Sequence, residues 1–172
     1  MADEKKRNNP LLDLKIEEMV GGLAGQRVLL YSGNSLGKTT QAMKCERPLL
    51  LMTESGGNGV RGYKIAINSW ADFTTNVNYL TAPQTSKEMH EKFFTVIIDT
   101  AENLVDLCEQ SVCKEFGVRD LSEIEGKSNG YKIARRKFAM QINKLTSQGY
   151  FIIFIAHEEV DENHVDELTG KV

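Results

Sequence analysis

The chain has 172 residues, of which 41% are hydrophobic and 26% charged, and its net charge at pH 7 is −3. These values fit one globular domain, and the negative charge argues against a protein that coats nucleic acid by bulk positive charge. No apolar stretch approaches the length of a membrane span, and the polar first nine residues exclude a secretory signal. We therefore expect a cytoplasmic protein with no membrane partner.

The chain divides by composition into a tail and one domain. We expect residues 1–9 to be a disordered tail and residues 10–172 to form a single domain, which opens with a short amphipathic helix over residues 11–20. Residues 117–130 and 158–172 show no periodic pattern, which is typical of functional loops or disorder. Few strands precede the end of the chain, so we expect a fragment or an unusually small version of its fold.

Four continuously apolar segments alternate with helical patterns along this domain. The predicted strands are residues 27–31, 48–52, 93–98 and 150–156. The predicted helices are residues 38–45, 69–81, 101–116 and 131–148. A further strand, residues 63–67, precedes Ser69, which could cap the next helix. Continuously apolar strands are typical of burial on both faces, so the alternation predicts an α/β fold whose mainly parallel sheet is covered by helices on both faces.

A phosphate-binding loop is predicted between the first strand and the helix that follows it. Its residues are Ser32, Gly33, Asn34, Ser35, Leu36, Gly37, Lys38, Thr39 and Thr40. Backbone N–H groups of such a loop enclose phosphate oxygens, the Lys38 ammonium reaches the terminal phosphates, and the Thr39 hydroxyl binds Mg²⁺. The strand–loop–helix context therefore predicts binding of a nucleoside triphosphate, with ATP and Mg²⁺ as the expected ligands.

The loop departs from the usual pattern G-x-x-x-x-G-K-[ST] at its first position. Ser32 stands where glycine is usual, and Gly33 comes one position late. A serine fits if its φ is negative, or if Gly33 takes the unusual conformation instead. The departure affects the expected loop shape but not the roles of Lys38 and Thr39.

Three further side chains are candidates because each follows a predicted strand. Asp99 ends the strand before the helix of residues 101–116, where it could hold Mg²⁺ opposite Thr39 or simply cap the helix. Glu54 follows the second strand and could orient the attacking water, or it is an ordinary loop carboxylate. His157 ends the last strand and could sense the terminal phosphate, or it is a structural histidine.

The chain resembles RecA-like ATP-binding proteins encoded by bacteriophages, some of which act in recombination and single-strand annealing. The resemblance rests on residues 32–40, 53–57, 96–100 and 153–158, and spans roughly residues 26–160. It implies a RecA-like, three-layer P-loop NTPase fold, Glu54 as catalytic glutamate, His157 in place of a sensor glutamine, and location in the host-cell cytoplasm. The two irregular segments would take the loop positions that face DNA. The second of these is acidic, which makes it a poor surface for phosphates.

A basic cluster is the best candidate for contact with single-stranded DNA. Its members are Lys127, Tyr131, Lys132, Arg135 and Arg136. Cationic side chains beside an aromatic ring can grip a single strand, although a solvated helix face has the same composition. The sequence thus leaves three functions open: an ATPase of RecA type in phage DNA recombination, with a homo-oligomer expected; a small-molecule or nucleotide kinase; and a nucleotide-gated interaction module with little turnover.

Overall fold

The computed structural model describes residues 22–33, 35–54, 59–125 and 129–158. In chain order the elements are β1 (Arg27–Ser32), α1 (Lys38–Ala42), β2 (Pro48–Met52), β3 (Tyr63–Ala66), α2 (Trp70–Thr81), α3 (Ser86–Lys92), β4 (Thr95–Asp99), α4 (Ala101–Phe116), a 3₁₀ helix (Leu121–Glu123), α5 (Gly130–Ser147) and β5 (Phe151–His157). The predicted tail, the helix of residues 11–20, Asn34, Lys127 and residues 159–172 lie outside the described residues. The division into tail and single domain stays a prediction.

The five strands form one parallel sheet in the order β1-β5-β4-β2-β3. This arrangement confirms the predicted α/β fold with a parallel sheet. Because all strands run in the same direction, their carboxyl ends meet at one edge, where ligands of open α/β sheets bind. The last strand, β5, lies between β1 and β4. It therefore pairs on one side with the strand that leads into the phosphate loop and on the other with the strand that ends in Asp99.

Alternate residues of the central strands face two separate apolar cores. Leu49, Leu51, Val96, Ile98 and Ile152 share the larger core with side chains of α2, α4 and α5. The opposite core is smaller, and α1 supplies its only fully buried helical residue among the described parts of the chain, Ala42. Both faces are covered, but very unequally. Burial of both faces of the sheet explains why the sequences of the central strands are apolar without interruption.

The strand β1 is not buried on both faces, so the sequence prediction was wrong for this strand. It pairs with β5 along one side, and Leu29 and Tyr31 are 56% and 68% exposed. A short apolar run has the same appearance in an edge strand and a central strand. The sequence therefore predicted the strand but not its position in the sheet.

Helix boundaries mostly agree with the sequence pattern, with two differences. α1 ends at Ala42 rather than at residue 45, and α3 was not predicted because it buries none of its residues fully. Within the predicted irregular segment 117–130, a 3₁₀ helix has a capping box formed by Asp120 and Glu123. The predicted cap at Ser69 is confirmed, since its hydroxyl accepts a hydrogen bond from the backbone N–H of Asp72 at 3.1 Å.

Candidate functional site

An open cavity of about 590 Å³ lies at the carboxyl edge of the sheet. Four strands contribute to it in their spatial order: Lys38 follows β1, His157 ends β5, Asp99 ends β4, and Glu54 follows β2. The remaining lining residues are Ser35, Leu36, Gly37, Thr39, Thr40, Gly59, Val60 and Ile155. The fold thus brings together the predicted phosphate, metal, water and sensor residues, which are far apart in sequence.

The phosphate loop takes its unusual backbone conformation at positions the sequence did not predict. Ser32 is the last residue of β1, and Gly33 does not have a positive φ. Among the described residues of the loop, the left-handed ones are instead Ser35, with φ of 63°, and Gly37, with φ of 77°. Because the left-handed conformation occurs at positions 35 and 37, position 32 keeps the extended backbone of the strand. A serine is therefore accepted there, since an extended backbone does not require glycine.

The Lys38 ammonium folds back over the loop. Its Nζ donates hydrogen bonds to the backbone carbonyls of Ser32 at 2.7 Å and Gly33 at 2.9 Å. Carbonyl oxygens are weaker partners for an ammonium than phosphate oxygens are, because the phosphate carries full negative charge. The lysine is therefore held at the cavity by contacts that an incoming polyanion can replace.

Thr39 and Asp99 meet across the cavity although they are 60 positions apart. The Thr39 hydroxyl donates a hydrogen bond to Asp99 Oδ2 at 2.6 Å. Asp99 is 7% exposed and ends β4, all five residues of which are buried. A hydroxyl and a carboxylate are hard oxygen donors of the kind Mg²⁺ prefers, and such sites are usually completed by phosphate and water. The pair therefore fits Mg²⁺, and Asp99 does not cap α4, whose N-cap is Thr100.

Thr53 joins the end of β2 to the end of β4, and sequence reasoning missed it. Its backbone N–H donates to the Asp99 carbonyl at 2.8 Å. Its hydroxyl donates to the Thr100 carbonyl at 2.9 Å and accepts from the Thr100 N–H at 2.8 Å. These three bonds fix the backbone beside Asp99 and also the residue before Glu54. A threonine following a strand is too common a feature to have signalled this role.

His157 is held by a side chain from α4. The backbone N–H of His157 donates to Glu102 Oε1 at 3.0 Å, and its ring Nδ1 lies 2.9 Å from the same oxygen. The pKa of Glu102 lies below its usual value. Partial desolvation raises this pKa. Hydrogen bonds from the backbone of Glu102 and from His157, together with the electrostatic interaction with His157, lower it by more. The sequence placed Glu102 on the helix but did not pair it with His157.

The candidate DNA cluster lies on the first turns of α5, away from the residues that line the cavity. Asn129 caps this helix by accepting a hydrogen bond from the Lys132 N–H at 3.0 Å. Tyr131 is 51% exposed, and Lys132, Arg135 and Arg136 are also exposed. Their exposure leaves these side chains accessible, but exposure alone does not select DNA over solvent.

The family profile described as an AAA domain matches residues 24–170. The chain belongs to this family. It is a nucleotide-binding P-loop domain of the ATPase class, and domains of this class generally use ATP with Mg²⁺. The chain is also 31% identical over 150 residues to the SPbeta prophage-derived uncharacterized protein YorG of Bacillus subtilis strain 168. This match covers 86% of the chain but 46% of the relative.

No described helix is long and apolar enough to cross a bilayer.

Proposed function

We propose that the chain is a Mg²⁺-dependent ATP hydrolase that acts in phage DNA recombination or single-strand annealing. The observation that supports hydrolysis best is the meeting of Lys38, Thr39, Asp99 and Glu54 around one cavity. These residues come from three strand ends, and each has the chemistry that one step of phosphoanhydride hydrolysis requires.

The nucleotide is held from the β1 side of the cavity. Lys38 exchanges its two carbonyl partners for oxygens of the terminal phosphates. Thr39 and Asp99 would hold Mg²⁺, which would neutralise charge on the phosphates. Exchange of weak internal partners for the ligand's stronger ones accounts for affinity without a large rearrangement of the strand.

Glu54 acts on water from the β2 side. Its side chain is exposed at the cavity, and the preceding residue is tied to Asp99 and Thr100 by three hydrogen bonds. A carboxylate held there can orient a water molecule and accept its proton as the terminal phosphate is attacked. Glu54 is thus proposed as the catalytic base, and His157 as the residue that contacts the terminal phosphate.

The role in DNA metabolism rests on two weaker observations. One is that the relative is prophage-derived. The other is the exposed Tyr131, Lys132, Arg135 and Arg136 at the start of α5. A cationic face with an aromatic ring suits single-stranded DNA, and a RecA-like machine would use hydrolysis to change its grip on the strand. The oligomer that such a machine forms is part of the same proposal.

Nucleotide binding and hydrolysis, measured with and without single-stranded DNA, test this proposal. The Lys38→Ala variant should lose at least about 100-fold in ATP affinity, because it loses a charge-assisted contact to phosphate. The Glu54→Gln variant should bind ATP with near-normal affinity but hydrolyse it about 100-fold or more slowly. Lys44→Ala is a matched control, because Lys44 is exposed and bonds Gln41 outside the cavity.

The alternatives predict different outcomes. Phosphate transfer to a nucleoside monophosphate, in place of hydrolysis, would indicate a kinase. Tight ATP binding with turnover that Glu54→Gln does not change would indicate a nucleotide-gated module. Hydrolysis that single-stranded DNA does not stimulate, together with no ATP-dependent DNA binding, would contradict the recombination role while leaving the ATPase intact.

A further inference from the structure

We propose that a cleft between α4 and α5 receives one base of single-stranded DNA, and that it prefers a base with an exocyclic amino group. This inference rests on the proposed role in DNA metabolism, and it adds to that role a site for the base itself. The cleft has a volume of about 240 Å³ and shares no lining residue with the nucleotide cavity.

The floor of the cleft is apolar and uncharged. Cys108 of α4 and Ala134 of α5 are almost fully buried there, and Phe138 adds an aromatic side chain. The Cys108 thiol donates to the Ala134 carbonyl at 3.5 Å, and burial raises the pKa of this thiol to about 11, so it carries no charge at pH 7. Pockets for drug-sized ligands usually have volumes of about 300–1,000 Å³. This smaller cleft therefore suits a single planar ring system.

The rim of the cleft carries an aromatic ring and two opposite charges. Tyr131 is 51% exposed and Val105 is 39% exposed, although both side chains are large and mainly apolar. An exposed aromatic ring can stack on an unpaired base of any sequence. Glu109 and Arg135 line the same cleft, and among the described residues neither forms an ion pair. Both charged groups are therefore available to the edge of a base.

The surface beside the cleft favours a polyanion over an apolar protein segment. The sequence of α5 contains five cationic residues and no acidic one: Lys132, Arg135, Arg136, Lys137 and Lys144. Lys137 pairs with Glu115 at 2.8 Å, but the part of the chain that the structure describes offers no ionic partner to the side chains of Lys132 and Arg136. Each of these two follows a rim residue by one position, so the phosphates of a strand seated in the cleft would meet them.

Glu109 gives the cleft a preference among bases. A carboxylate repels phosphate, but it accepts hydrogen bonds, and the N4 amino group of cytosine is a donor that suits it. The Arg135 guanidinium only donates, so it suits the acceptor nitrogen next to that amino group. Thymine has a carbonyl oxygen where cytosine has the amino group, and this oxygen would repel the carboxylate. We therefore expect cytosine to bind more tightly than thymine.

Fluorescence anisotropy with labelled oligonucleotides tests this preference, with the full chain, ATP and Mg²⁺ present. The unmodified chain should bind oligo-dC about tenfold more tightly than oligo-dT, which is the usual effect of one specific base contact. Glu109→Ala should bring this ratio close to one. Asp106→Ala is the matched control and should keep the ratio, because it removes the same charge from an exposed position on α4 that does not line the cleft.

Stacking is tested with the same assay. Tyr131→Ala should weaken binding of oligo-dC about tenfold, because the base loses the ring on which it stacks, whereas Tyr131→Phe should bind normally. A strand of abasic deoxyribose phosphates has the charge of DNA without its bases. The unmodified chain should bind this strand at least about tenfold more weakly than oligo-dC.

The contrary outcomes separate this inference from the proposed function. An unchanged affinity for oligo-dC in Tyr131→Ala, or an unchanged ratio in Glu109→Ala, overturns the base site and leaves DNA binding through phosphates intact. Equal binding of the abasic strand and oligo-dC does the same. If Tyr131→Ala abolished self-association in place of DNA binding, the cleft would belong to a second copy of the chain, which also overturns the proposal. Failure to bind any strand while ATP is still hydrolysed would overturn the recombination role together with this inference.

Discussion

The two strands that lead into the candidate site differ sharply in burial. β4 lies inside the sheet, all five of its residues are buried, and it ends in Asp99. Among the described strands β1 pairs with β5 alone, and it has exposed apolar residues and leads into the phosphate loop. The carboxylate proposed for the metal therefore stands on a fully buried strand, while the lysine proposed for the phosphates follows a strand whose one partner among the described strands is β5.

Because of this difference in burial, we expect substitutions in β4 and in β1 to affect the stability of the domain and its ligand binding differently. The side chains of β4 contribute to both apolar cores, and the same strand carries Asp99, so a change within β4 disturbs the packing that holds this carboxylate. A change on the exposed face of β1 removes little buried surface, so it should leave the domain folded. We therefore expect that the proposed ligand contacts on the β1 side can be altered without unfolding the protein, whereas the β4 side tolerates little change.

The largest effect that we expect comes from truncating one apolar side chain on each strand. Ile97→Ala in β4 should lower the free energy of unfolding by about 3–4 kcal/mol, because Ile97 is fully buried and its loss leaves a cavity. Leu29→Ala in β1 should lower it by less than about 1 kcal/mol, because Leu29 is 56% exposed. Urea unfolding monitored by circular dichroism measures both values. Equal losses would mean that β1 is covered in solution.

The second effect concerns the link between β2 and β4. Thr53→Val should lower the free energy of unfolding by about 1–3 kcal/mol, because the buried Thr100 N–H loses its partner. It should also slow ATP hydrolysis more than it weakens ATP binding, since the residue before Glu54 is no longer fixed by the hydroxyl. Thr53→Ser keeps the hydroxyl and is the matched control. A valine variant that unfolds and hydrolyses ATP like the serine variant would show that the hydrogen bonds of the Thr53 hydroxyl contribute nothing to either property.

The sequence predicted those parts of the site that lie close together along the chain or directly at the end of an apolar run. Lys38 and Thr39 follow from the spacing of the phosphate loop, and Asp99 from its position after six apolar or β-branched residues. Their meeting could be anticipated, because parallel strands end at one edge of a sheet. The 2.6 Å contact between Thr39 and Asp99 agrees with that expectation.

The remaining features depend on strand order and register, which no local pattern encodes. The exposure of β1 follows from its place at the edge of the sheet that the described strands form, and a run of four apolar residues does not reveal that place. The Thr53 bonds need β2 beside β4, and the Glu102–His157 pair needs β5 there too. α3 was missed for a different reason, since it lacks an apolar face strong enough to give a helical period.

The smallest effect should come from the opposite end of β5, the strand that connects β4 with β1. The fully buried Tyr150 donates its hydroxyl to the Leu80 carbonyl of α2 at 3.0 Å, and its ring stacks on His90 with centroids 4.1 Å apart. Tyr150→Phe should therefore lower the free energy of unfolding by about 1 kcal/mol at pH 7. ATP affinity should not change, because this end of the strand is remote from the cavity.

The pH dependence of this effect gives an independent check. Burial raises the pKa of Tyr150 from 10.0 to about 12. Because the folded protein favours the neutral phenol, this contribution to stability is fully present below pH 10 and is lost as the pH rises through 12. The free energy of unfolding should thus fall more steeply between these pH values in the unmodified chain than in Tyr150→Phe, which has no phenol at this position. Parallel curves for the two proteins would mean that Tyr150 ionises as readily in the fold as in the unfolded chain, and that the amino end of β5 is less tightly packed than its contacts indicate.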